Sequence, residues 1–336
     1  MALLNRKIVL ASRPPGMVSE SNFRLVEEEV RALQDGEILV RALYLSVDPY
    51  MRGRMRDVKS YADPVGIDEV MVGEIVGRIE QSRHPTLQTG DMVAGHLGWQ
   101  EYAISRGKGL RKIDPSSAPV SSALHVLGMP GATAYFGLLD VCRAQEGDTV
   151  VVSGAAGAVG SIVGQIGKIL GCRVVGIAGD DDKLEWLTGD LGFDGGINYK
   201  TSGNLARELD KLCPDGVNCF FDNVGGPVSD AVIPLLAQNA HIAICGQISQ
   251  YNAEKPELGP RLLWHLIVKR ATIRGFLVFD YFDRFGEAMK RLSEWVISGK
   301  IKYRENIIEG IENAPRAFVG LFKGENTGKQ LVHIAD

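Results

Sequence analysis

Asp148-Thr149-Val150-Val151-Val152-Ser153-Gly154-Ala155-Ala156-Gly157-Ala158-Val159-Gly160 is the stretch that decides the fold. A β-branched run enters a glycine-rich turn, and a segment with helical spacing follows. Strand, turn and helix in direct succession form the setting that a dinucleotide fingerprint requires. The start of such a helix offers free N–H groups and partial positive charge to a pyrophosphate. The usual G-x-G-x-x-G is incomplete, because Ala155 holds the first glycine position and Gly154 precedes it. Gly157, Gly160, Gly164, Gly167 and Gly171 recur at steps of three and four, so they share one helix face. An interior glycine costs about 1 kcal/mol relative to alanine. The stripe therefore implies close approach. A cofactor would approach at Gly157 and Gly160, while the later three read as helix–sheet packing.

Working outward from residue 148, candidate strands fall at 149–153, 173–178, 196–198, 217–221, 241–245 and 272–275. Candidate helices fall between them at about 158–170, 181–189, 203–212, 226–237 and 260–268. Six strands alternating with helices predict a doubly wound parallel sheet. Residues 1–120 differ: short apolar runs bounded by turns, without long helices, suggest an antiparallel barrel or sandwich. After an amphipathic helix over 283–298, the tail holds a helix near 311–321 and a terminal strand, Gln330-Leu331-Val332-His333-Ile334, of a kind that completes the first domain.

Composition narrows the function. Glycine numbers 40 of 336, and 12 of these lie in residues 151–200, so the excess is local to the turn and its surroundings. The formal net charge is −4, with Lys and Arg scattered, which argues against nucleic acid. No apolar run reaches the roughly 18 residues of a membrane helix, and no secretory leader is recognisable. The expectation is a cytoplasmic protein with no membrane partner. The five cysteines (Cys142, Cys172, Cys213, Cys219, Cys245) include no C-x-x-C pair, and the six histidines no H-x-x-x-H pair. A disulfide framework and a metal site are both disfavoured.

Cofactor choice rests on the end of the second strand. Val174-Val175-Gly176-Ile177-Ala178-Gly179 ends in small residues, where an NAD enzyme usually carries an acid for the ribose 2′-hydroxyl. Lys183 follows and could pair with a 2′-phosphate, which favours NADP. Asp180, Asp181 and Asp182 stand close enough to repel a phosphate, unless they serve as acids at a helix N-terminus.

Four further segments carry a family resemblance: Ser46-Val47-Asp48-Pro49-Tyr50-Met51-Arg52-Gly53-Arg54-Met55, Gly128-Met129-Pro130-Gly131-Ala132-Thr133-Ala134-Tyr135, Phe221-Asp222-Asn223-Val224-Gly225-Gly226, and Cys245-Gly246-Gln247-Ile248-Ser249-Gln250-Tyr251-Asn252. With the glycine turn, they resemble the zinc-independent medium-chain dehydrogenases/reductases, in the branch of prostaglandin reductases, double-bond reductases and curcumin reductase-like proteins. The resemblance implies an α/β protein, with a GroES-like β-barrel domain (1–122 and 300–336) and a Rossmann domain (123–299). It implies NADPH, and reduction of a C=C bond conjugated to the carbonyl of a small enal or enone. It also implies a homodimer, and no metal, since Val72-Gly73-Glu74 lacks the His of zinc relatives.

By position, Gly157, Ala158, Val159 and Gly160 would hold the pyrophosphate, and Lys183 and Tyr199 the 2′-phosphate. Asn223 would lie by the ribose and nicotinamide. Cys245, Gly246, Gln247, Ile248, Ser249 and Tyr251, with Phe276, Leu277, Val278 and Asn326, would complete the cofactor site. Tyr251 and Tyr50 are the catalytic candidates, with the Tyr251 hydroxyl donating to the enolate oxygen together with the nicotinamide ribose 2′-hydroxyl. Each has a plainer alternative: Asn223 a turn residue, Tyr199 a surface strand residue, Tyr50 and Tyr251 lining of the barrel. Arg52 and Arg54 read as loop or interface charges. Rival readings are a quinone reductase on the same fold and an NADPH-binding protein without chemistry.

Overall fold

A computed structural model describes residues 2–336. The chain first lays down strands β1 (Leu4–Leu10), β2 (Phe23–Glu29), β3 (Ile38–Ser46), β4 (Glu74–Ser82), β5 (Met92–His96), β6 (Tyr102–Ser105) and β7 (Arg111–Ile113), with one turn of helix, α1 (Met51–Arg54), after β3. Helix α2 (Met129–Phe136) leads into an alternating series: β8 (Thr149–Ser153), α3 (Gly160–Ile169), β9 (Arg173–Ala178), α4 (Asp181–Glu185), β10 (Gly195–Asn198), α5 (Leu205–Leu212), β11 (Val217–Asp222), α6 (Pro227–Val232), β12 (Leu236–Ile244), α7 (Leu263–Lys269) and β13 (Thr272–Gly275). Helix α8 (Phe285–Ile297), strand β14 (Glu305–Glu309), helix α9 (Ala314–Lys323) and strand β15 (Lys329–His333) follow.

Two compact units result. One comprises the chain through Leu124, Glu305–Asn326 and Gln330–Asp336; the other comprises His125–Arg304 and Thr327–Lys329. In the first, a seven-stranded sheet is ordered β14-β15-β3-β4-β5-β7, with β6 also on β3, and β1 pairs β2 separately. The terminal strand does return, pairing Leu331 with Ser46. This unit's core gathers around Trp99, fully buried, with Phe23 stacked on it at 5.4 Å and Phe318 edge-on at 5.8 Å.

In the second unit the six strands run β10-β9-β8-β11-β12-β13, and every pairing in it is parallel. Counted along the chain from β8, that order is 3-2-1-4-5-6, the doubly wound arrangement. Residues of β8 are buried throughout. Val150 and Val152 pack on one face with Ile162 and Ile166 of α3, while Val151 packs on the other with Val175 and Phe220. Burial on both faces explains why the strand reads as an unbroken β-branched run. Glycines in β10 serve the same layers. A Cβ on Gly195 would meet Leu212 at 3.1 Å, and one on Gly196 would meet Leu184 at 2.9 Å.

The structure departs from expectation at several elements. Helix α6 stops at Val232 and a short 3-10 turn carries Pro234, so β12 begins at Leu236 rather than 241; proline cannot continue the helical bonding. Gly171 is not on the helical stripe. It follows the end of α3 with φ +84°, the left-handed residue that closes a helix. Gly164 faces the Phe193 ring rather than the sheet, whereas Gly167 lies on Val174 and Val150. No helix among the described residues is long and apolar enough to cross a membrane.

Candidate functional site

The strand order reverses between β8 and β11, and in an open sheet ligands bind beyond the carboxyl ends at that point. The turn leaving β8 is drawn tight by its own backbone. Gly154 has φ +59°, and its carbonyl accepts from Gly157 N–H at 3.0 Å. A Cβ on Gly160 would sit 2.4 Å from that same carbonyl oxygen and 2.8 Å from Ala155 Cα. Glycine at 160 is thus required by the turn folding on itself. The turn is held from outside as well, because Gly328 N–H donates to Ala156 O at 2.8 Å and His125 Nε2 lies 3.2 Å from Ala158 O. Among the described residues, the N–H groups of Ala158 and Val159 have no hydrogen-bond partner. These are the donors that a helix start offers an anion.

Asp222, at the end of β11 and fully buried, ties the neighbouring loops together. Its Oδ1 accepts from Ser153 Oγ at 2.7 Å and from Val224 and Gly225 N–H at 3.0 Å each, and its Oδ2 accepts from Ser229 Oγ at 2.5 Å. Asn223 is fixed next to it: its backbone N–H donates to Ser153 Oγ and its Nδ2 to Ser153 O, both at 2.8 Å. The loop after β12 is laced to this turn through Cys245 and Gly246 N–H to Asp222 O, and through Ser249 N–H and Oγ to Val224 O. Burial, with the Asp222 carboxylate adding to it, pushes the Cys245 thiol up to about 12, so it stays protonated. The Tyr251 phenol oxygen accepts from Gln247 N–H at 3.2 Å, and a Cβ on Gly246 would come within 3.1 Å of it. The ring therefore folds back over its own loop, beside Asn223, within the second unit.

A third group forms after β9. A Cβ on Gly179 would lie 2.8 Å from the Tyr199 ring and 3.0 Å from Lys200 Cε, so glycine there makes room for both side chains. Lys200 Nζ stands 6.0 Å from the Tyr199 ring centroid. Burial lowers the pKa of the half-buried Lys183, Asp180 opposes that shift, and the Lys200 charge adds to it. The acids flanking Lys183 are already engaged. Asp180 caps α4 by accepting from Asp182 N–H at 3.0 Å, and Asp181 accepts from Asn198 Nδ2 at 2.7 Å. A phenol and an ammonium against a glycine, with a second ammonium within reach of the first charge, fit a phosphate, since a partly desolvated lysine with a cationic neighbour gains by taking up an anion. Lys200, like Asp222 and Ser153, was not singled out from sequence. Its one local signal is adjacency to Tyr199.

Other expected residues are more dispersed. Phe276 turns its ring into the core, 6.2 Å from that of Phe221. Leu277 and Val278 follow the end of β13, and Leu277 is exposed. Tyr50 and Asn326 belong to the first unit. Burial, reinforced by Asp48 and Glu74, raises the Tyr50 phenol far above its ordinary value, so it can donate a hydrogen bond and cannot serve as a base. Arg52 is no loop charge. It is fully buried, and its Nη2 donates to Pro14 O at 3.0 Å and Gly16 O at 2.8 Å. Among the described residues no group of three His, Cys, Asp or Glu could hold a metal ion.

Comparison with known proteins gives two family matches: residues 6–113 match the N-terminal domain of oxidoreductase, and residues 158–294 match zinc-binding dehydrogenase. The chain is 48% identical to an NADPH-dependent curcumin reductase of Escherichia coli (strain K12), covering 98% of this chain and 97% of that one. It is 41% identical to a 2-alkenal reductase (NADP(+)-dependent) of Nicotiana tabacum, with 98% of each chain covered. Among solved structures, CurA from Vibrio vulnificus in complex with NADPH superposes with a TM-score of 0.94 at 50% identity, covering 98% of this chain and 99% of that one.

Proposed function

Since the chain belongs to the zinc-independent branch of the medium-chain dehydrogenases/reductases and is an NADPH-dependent oxidoreductase, we propose that it reduces the C=C bond of α,β-unsaturated aldehydes and ketones. The observation that carries this reading is the Tyr251 phenol, with its oxygen held by Gln247 N–H beside Asn223. A backbone donor to the phenol oxygen leaves the O–H proton to point elsewhere, and polarises it as a donor. NADPH, when bound, supplies a hydride. That hydride would add to the substrate β-carbon, the C=C pair becoming the bond between the α-carbon and the carbonyl carbon as the C=O pair moves onto oxygen; a solvent proton at the α-carbon would then restore the carbonyl. Tyr251 donates a hydrogen bond to the oxygen on which charge develops. The family resemblance makes Tyr50, held protonated, a further candidate donor. Gly157–Gly160 would hold the pyrophosphate, Lys183 and Tyr199 the 2′-phosphate, and Asn223 the ribose side. The name of the tobacco relative supports the substrate class.

The test is a panel of enals, enones and quinones, followed by NADPH oxidation and product analysis. Saturated aldehydes and ketones are expected. Turnover confined to quinones, or tight NADPH binding without turnover, would replace this reading with one of its rivals. Tyr251→Phe should lower kcat about a hundredfold or more, far more than it weakens NADPH binding, because one lost oxyanion donor costs about 2.7–4 kcal/mol. Unchanged turnover removes Tyr251 from the chemistry.

A homodimer is part of the same reading. Strand β13 ends the sheet with all four residues exposed, and Leu263, Trp264 and Ile267 of α7 are exposed as well. An uncovered strand edge beside apolar side chains calls for a partner. Light scattering of the protein and of Ile273→Arg decides whether β13 pairs with a second copy.

A further inference from the structure

His125 opens the second unit and takes no part in the expected site, yet it touches it. Its side chain is fully buried, with the Tyr303 ring edge-on at 5.5 Å. Its Nε2 lies 3.2 Å from the carbonyl oxygen of Ala158, in the middle of the turn. A carbonyl oxygen can only accept, so Nε2 carries the hydrogen. Burial, with the Lys329 ammonium adding to it, drives the imidazole down to about 3. The ring is therefore neutral across the working range, in a single tautomer fixed by this bond.

The consequence follows from peptide geometry. All peptide bonds among the described residues are trans. In a trans peptide the C=O of one residue and the N–H of the next point in opposite directions. Holding Ala158 C=O toward the buried imidazole therefore turns Val159 N–H to the other side, where it has no partner. The adjacent pin shows the contrast. Gly328 N–H holds Ala156 O at 2.8 Å, but the N–H that it orients, that of Gly157, bonds back to Gly154 O at 3.0 Å. One pin folds the turn. The other leaves a donor facing outward.

We propose that His125 is a positioning residue for the cofactor: by fixing the Ala158 carbonyl, it presents the Val159 N–H to the pyrophosphate. This rests on the reading of Gly157–Gly160 as the pyrophosphate turn. His125→Phe removes the donor and keeps a buried ring, whereas His125→Gln returns an N–H donor at a similar reach. His125→Phe should bind NADPH and NADH about tenfold more weakly, by equal factors, since a hydrogen bond to a charged group is the interaction lost. Binding of 2′-AMP, which lacks the pyrophosphate, should be unchanged. So should kcat at saturating NADPH, and His125→Gln should regain most of the affinity.

Wild-type dinucleotide affinity in His125→Phe overturns the proposal. Loss of 2′-AMP binding along with the dinucleotides overturns it too, because His125 would then merely hold the unit together. Hydrogen exchange of the unmodified protein tests the underlying reading separately. If NADPH fails to protect the amides of residues 155–161, the turn itself has been misassigned, whatever His125→Phe does.

Discussion

The turn after β8 and the corner after β9 both fit phosphate, and they are built in opposite ways. The turn is backbone throughout: Gly154 O fills the space above Gly157 and Gly160, alternate carbonyls are pinned from outside, and the open groups are N–H donors. The corner is made of side chains, with Tyr199 and Lys200 against a glycine, Lys183 close enough to feel the Lys200 charge, and Tyr199 about half exposed. A backbone cradle cannot be retuned by one substitution without disturbing the fold, which suits the pyrophosphate common to all nicotinamide dinucleotides. A side-chain cluster can change charge at small structural cost, which suits the one phosphate that separates NADPH from NADH.

The strongest challenge to this contrast is Gly160→Ala. The added methyl would meet backbone atoms at 2.4 and 2.8 Å, which cannot swing aside as a side chain can. Overpacking of this kind costs about 1–3 kcal/mol, so NADPH and NADH should both bind up to about a hundredfold more weakly, and the melting temperature should drop. Calorimetric titration with each cofactor checks this, and selective loss of NADPH would erase the contrast. Lys183→Ala tests the other side. NADPH should weaken about tenfold, the worth of one charged contact, while NADH binds as before; equal losses would put Lys183 outside the phosphate site. Gly179→Ala should act on NADPH alone and only a few-fold, because its methyl would press on the mobile ends of Tyr199 and Lys200.

How much of this was legible in the sequence follows the same division. Strands β8, β9 and β13 lie where apolar runs between turn residues place them, and the glycine turn announces itself by strand, turn and helix in order. The corner was half legible: Lys183 and Tyr199 were singled out as candidates, and an acid does serve the helix N-terminus, Asp180 capping α4, but the engagement of Asp181 with Asn198 depends on folding across 17 residues. Partners far apart in the chain were not legible at all. Asp222 meets Ser153 across 69 residues and His125 meets Ala158 across 33, and neither pairing leaves a periodic or compositional mark. Arg52 was misplaced for the same reason. Its charge suggests surface, and only the fold brings the carbonyls of Pro14 and Gly16 to it.

The smallest effect sharpens the comparison most, because the corner carries a titrating side chain and the turn does not. Burial and the Lys200 charge hold the Lys183 ammonium below its ordinary value of 10.5, against the opposing pull of Asp180. As pH rises, Lys183 therefore loses its proton earlier than a surface lysine, and the contact to a 2′-phosphate fades with it. At the acid end the phosphate takes up a proton near pH 6. The preference for NADPH over NADH should thus be flat between these limits and fall a few-fold on either side. Backbone N–H groups of the turn carry no titrating proton, so NADH affinity should stay level over the same range. A dianion arriving beside Lys183 also restores its proton, so NADPH binding on the alkaline side should take up protons from the buffer. Titration calorimetry in two buffers of different ionisation enthalpy measures that uptake directly. It should vanish in Lys183→Ala and be absent for NADH; uptake that persists in the variant would move the titrating group away from the corner.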